Sequence, residues 1–70
     1  MLERTEMLKN LLNLKQKIQQ LKVEDDNEIL ISLRFLIDVV ATTSCGTAKQ
    51  AYNEMYAKLV TEINQLEAIS

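Results

Sequence analysis

Apolar positions along the chain gather into three stretches separated by two polar breaks, and the middle stretch dominates. Ile29 to Ala41 reads ILISLRFLIDVVA, interrupted only by Ser32, Arg34 and Asp38. Wound at about 100° per residue, Ile29, Leu30, Leu33, Leu36, Ile37, Val40 and Ala41 share one sector roughly 140° wide, enough for an ordinary helix packed on a core. Ile31, Phe35 and Val39 fall outside it. Spaced four apart, they line up as a second ridge on the opposite side, among Glu28, Ser32, Arg34, Asp38 and Thr42. A helix with two oily faces must be covered on both, by its own chain or by another.

The first stretch predicts a helix over about residues 2–22. Met7, Leu11, Leu14, Ile18 and Leu21 follow a 4, 3, 4, 3 spacing, a heptad seam of about two repeats. Two repeats are too short for a free-standing coiled coil, so the segment reads as a bundle helix packed at coiled-coil-like angles. Leu8 and Leu12 widen the seam on one side. Lys15 is expected to pack its stem there while its ammonium reaches solvent or a carboxylate.

Val23, Glu24, Asp25, Asp26, Asn27 and Glu28 make the first break. Asp25 with Glu28 three residues on resembles a capping box, and acidic residues suit the positive end of a helix dipole. The second helix is therefore expected from near Asp26 to about Cys45. The acidic run lacks the alternating ligands and glycine of a calcium loop. Thr42 to Thr47 form the second break. Gly46, the only glycine, is expected to close the second helix in a left-handed conformation, and Thr47 with Gln50 to open the third. That third helix is predicted over about residues 48–69. Its stripe is Ala48, Tyr52, Met55, Leu59, Ile63 and Leu66, broadened by Tyr56, Val60 and Ile69. Glu54 and Lys58 form an expected i,i+4 pair, and Glu62 is expected to meet Lys15 or a base of a partner.

Composition narrows the architecture. With no proline and a single glycine, the fold class is all-α, one domain spanning residues 1–70. A chain of this length buries only about 60% of the surface its unfolded form exposes, and small domains usually lean on disulfides, a metal or an oligomer. One cysteine and no histidine remove the first two supports, so neither a metal nor a cofactor is expected. The expected fold is a three-helix bundle, or a helical hairpin with an extra helix, completed by a second chain. Charge is uneven. Residues 1–23 carry a net +3, residues 24–46 a net −4 and residues 47–70 a net −1, which favours antiparallel packing of the first two helices. The start of the chain shows no signal peptide. The central run is too short and too charged to span a bilayer, and the chain reads as cytoplasmic.

Candidate chemistry is sparse. Cys45 is the only soft nucleophile and has no histidine base; at the end of the second helix it is expected to be structural. Asp38 is most simply paired with Arg34. The phrase Thr42-Thr-Ser-Cys-Gly-Thr47 lacks the glycine spacing and lysine of a phosphate loop. These features point away from an enzyme. Nucleic-acid binding is the rival class: Lys9 and Lys17 point off the seam of the first helix, with Lys22 nearer its edge. Yet Asn10, Asn13, Gln16, Gln19 and Gln20 fill most of that face, no aromatic sits among the lysines, and the formal charge is −2. Nucleic acid is therefore not the expected partner, and neither is a membrane.

The second ridge carries most of the functional reading. The first and third helices can cover the middle one from opposite sides, leaving nothing over. Alternatively they share the broad sector and leave Ile31, Phe35 and Val39 to a neighbour, which a symmetric dimer would supply. The expected role is a small protein-interaction module with its interface at Ile31, Phe35, Val39, Leu8 and Leu12. An adaptor, an inhibitor or antirepressor, or a small secretion chaperone would have this character, with the partner another copy of the chain or a regulatory or secretion target. The runner-up is a dimeric nucleic-acid-binding protein using the basic first helix.

Overall fold

The computed structural model describes residues 3–69 and contains three helices: α1 (Arg4–Gln20), α2 (Glu28–Thr42) and α3 (Cys45–Ile69). Among the described residues there is no strand, and no helix is long and apolar enough to cross a membrane. Each helix touches both others, with α2 and α3 sharing the most extensive contact. Arg4 at the start of α1 reaches Val40 at the end of α2, so these two run antiparallel. Asn10 meets Tyr52 and Lys17 meets Asn64, so α1 and α3 run parallel. The result is an up-down-up bundle, closed rather than an open hairpin with an appendage.

Local chemistry sets the helix ends, and several differ from the expectation. The expected start at Leu2 lies outside the described residues; α1 begins at Arg4, with the Glu3 carbonyl accepting from the Met7 N–H at 2.9 Å. It stops at Gln20, two residues early, because Lys22 takes a left-handed φ of 56° and its N–H turns back to the Gln19 carbonyl. The Asp25–Glu28 capping box does not form. Asn27 caps α2 instead: its Oδ1 accepts from the N–H of Ile29 at 2.9 Å and of Leu30 at 3.4 Å, taking up donors that the first turn leaves unpaired.

α2 also ends three residues short of Cys45. Extended Thr43 breaks it, while the Thr42 and Thr43 hydroxyls donate to the carbonyls of Asp38 and Val39. The Arg4 guanidinium donates to the Val40 carbonyl at 2.8 Å, a cation at the negative end of the helix dipole. Gly46 does not close α2. It lies in the first turn of α3 with no positive φ. The expected Thr47–Gln50 cap is displaced as well: Ser44 starts α3, its carbonyl accepting from the Ala48 N–H at 2.8 Å and its Oγ lying 3.4 Å from the Thr47 N–H.

The core follows the predicted stripes. Met7, Leu11, Leu14 and Ile18 of α1 meet Leu30, Leu33, Leu36 and Val40 of α2 and Ala48, Tyr52, Leu59 and Ile63 of α3. The centre of the broad sector of α2 thus serves both neighbours, while Ile29 and Ile37 at its edges are half-buried and Ala41, expected in the sector, is exposed. Leu21 is half-buried, and Ile69, expected on the stripe of α3, is exposed. At 25 residues α3 is longer than α1 at 17, and Ile69 is its last residue. The α1–α3 seam carries polar links at its edge. Asn10 donates to the Tyr52 hydroxyl at 3.0 Å, and the Tyr52 ring stacks on Tyr56 with centroids 4.5 Å apart. Burial pushes the Tyr52 phenol above its ordinary value of 10.0, against the opposing pull of the Asn10 hydrogen bond. Lys17 reaches Asn64 Oδ1 at 3.0 Å and Glu67 at 3.3 Å; this ion pair stands where a Lys15–Glu62 contact was expected.

Candidate interaction surface

The first and third helices do not enclose the middle one from opposite sides. α1 and α3 share the broad sector, and the opposite ridge stays in solvent. Phe35 is 60% exposed and Ile31 51%, while Leu33 and Leu36 on the other face are fully buried. Val39, the third ridge position, is half-buried. Ser32, next to Ile31, lines a cleft of about 220 Å³ between α2 and α3 with Glu54, Met55, Lys58, Leu59 and Glu62. That cleft adjoins one side of the ridge, and none of Ile31, Phe35 and Val39 lines it. Met55, which sequence reasoning placed in the core stripe, lines this cleft and is half-buried.

Leu8 and Leu12 occupy a different flank. Leu8 is half-buried against the core, and Leu12 is 49% exposed. One turn separates each of them from the residue before in the series Arg4, Leu8, Leu12. Since Arg4 reaches Val40, this strip follows the side of α1 that faces α2. The five expected interface residues thus divide into two strips, with the outer edge of α2, bearing Arg34, between them. A shallow furrow beside Leu8 and Leu12 is walled by Thr5, Lys9, Asn13 and Gln16, all of α1. A furrow with one wall cannot enclose a small molecule.

Charged groups around the ridge do not pair as expected. Among the described residues Arg34 and Asp38 form no ion pair, and neither do Glu54 and Lys58. Arg34 and Asp38 are both exposed, on one edge of the ridge. Cys45 is not at the end of α2, as its predicted structural role assumed, but opens α3, where it is exposed and unbridged. Lys17 is drawn to α3 by Asn64 and Glu67, which removes it from the solvated basic face predicted for the first helix. No group of three or more potential metal ligands gathers among the described residues. Comparison with protein families, with curated proteins and with solved structures finds no match to this chain.

Proposed function

We propose that the chain is a non-enzymatic protein-interaction module of the cytoplasm, an adaptor, inhibitor or chaperone-like protein, which presents an apolar helical ridge to a partner and acts as a homodimer. One observation carries the reading. α2 buries Leu30, Leu33, Leu36 and Val40 within its own bundle and still holds Phe35 at 60% and Ile31 at 51% exposure on the other side. An isolated exposed apolar residue needs no explanation, but an aromatic and a β-branched residue one turn apart, flanked by a half-buried valine, form the kind of anchor that dominates helical contacts. The single exposed thiol suits a reducing compartment. The nucleic-acid alternative is weaker, because Lys17 is engaged by α3.

The test is Phe35→Asp. Because Phe35 lies outside the core, the variant keeps its helical circular dichroism, and its mass by light scattering falls to that of a monomer where the parent chain is dimeric. A variant that stays dimeric with full helicity would overturn the assignment of the ridge as the interface.

A further inference from the structure

Resting on the reading of the ridge as an interface, we infer that its occupant is the same ridge of a second copy, in an antiparallel two-fold pairing of α2 with α2 held in register by reciprocal Arg34–Asp38 ion pairs. The positions on α2 are self-complementary about Phe35. Ile31 lies one turn before it and Val39 one turn after. A two-fold axis crossing the ridge beside Phe35 sets each Phe35 against its copy and each Ile31 against Val39 of the other molecule, an isologous contact that closes on itself.

The charges select the direction. At about 100° and 1.5 Å per residue, Asp38 lies about 60° and Arg34 about 100° round from Phe35, on the same edge. An antiparallel two-fold keeps that edge facing the same edge of the other copy. It places Arg34 about 3 Å along the axis from Asp38 of the second molecule, within reach of a guanidinium and a carboxylate, twice over. A parallel pairing sends the two edges to opposite sides and leaves these charges apart. Within one chain, Arg34 and Asp38 are four residues apart on a helix, the spacing at which such groups often pair, yet among the described residues they form no ion pair. Exposed pairs of this kind add little affinity but fix register by making the wrong alignment repulsive.

A charge-swap series tests the pairing, with sedimentation equilibrium of the full chain at low salt and circular dichroism as the check on folding. Arg34→Asp alone lines one edge with four carboxylates, and Asp38→Arg alone with four guanidiniums. Each single change is expected to raise the dimer dissociation constant roughly tenfold to a hundredfold, an effect that shrinks as salt is added. The double variant R34D/D38R restores the parent value. Single variants that dimerise like the parent, or a double variant that stays as weak as the singles, would overturn the antiparallel register; dissociation by Phe35→Asp would then still uphold the ridge as the interface. A parent chain that remains monomeric throughout the concentration series would overturn the second copy as occupant and leave the ridge to a different protein.

Discussion

Two residues of this chain sit in each other's natural place. Lys22 holds a left-handed φ of 56° just past α1, a conformation that costs a side-chain-bearing residue about 1 kcal/mol and glycine almost nothing. Gly46, the only glycine, lies in the first turn of α3, where a Cβ would meet nothing within 4 Å. Lys22→Gly and Gly46→Ala are each expected to stabilise the fold by about 0.5–1 kcal/mol, read as a higher urea midpoint at an unchanged slope. The two sites share no contact, so the gains should add. The exchange also explains why helix ends were the least legible feature of the sequence. Glycine is the usual marker of a left-handed stop, and the one glycine pointed to the wrong helix. At the other break, Glu24, Asp25, Asp26 and Asn27 offered four polar residues in a row. Only the one adjoining the first turn could cap it, because its Oδ1 must reach the N–H groups of Ile29 and Leu30.

At the scale of elements, the apolar stripes were legible because burial imposes the helical period directly on the sequence. Met7, Leu11, Leu14 and Ile18 are the seam that the spacing predicted, and all four are buried. The polar residues at the stripe edges were not legible, since one helix read alone does not reveal which flank its neighbour takes. Asn10, read as part of a solvated face, instead donates to Tyr52 across the α1–α3 seam. This seam makes stability depend on alkaline pH. Burial raises the folded-state pKa of the Tyr52 phenol above its ordinary value of 10.0, so the folded state holds that proton more tightly than the unfolded one. The contribution is complete below about pH 10 and is lost as pH climbs through the folded-state value, when the unfolded chain has already released its proton. Urea midpoints measured on either side of pH 10 should show the parent chain weakening on the alkaline side. In Tyr52→Phe the part of that fall due to this phenol disappears, and a slope equal to the parent's would show that Tyr52 does not drive it.

For the whole molecule, the question raised by the sequence was whether so short a chain could cover an oily middle helix unaided. The bundle buries the centre of one face and leaves Phe35 and Ile31 of the other exposed. α1 and α3 both dock on the sector of Leu30, Leu33, Leu36 and Val40. Two helices packed against that one sector and against each other make a closed triangle, and a fourth helix would be needed to reach Phe35. Two substitutions only two residues apart, on opposite sides of α2, therefore separate folding from association. Leu33 is fully buried, and Leu33→Ala should cost about 2–5 kcal/mol, a large share of the stability available to a domain this small, with helical dichroism lost at much lower urea. Phe35→Ala, by contrast, should leave the isolated bundle as stable as before. What it should remove is the concentration dependence of melting. A fold stabilised by its own dimer gains from mass action, so the parent midpoint climbs as protein is added, whereas the Phe35→Ala midpoint stays put. If the parent midpoint is equally flat across the series, the ridge is not what this bundle uses to find its own copy.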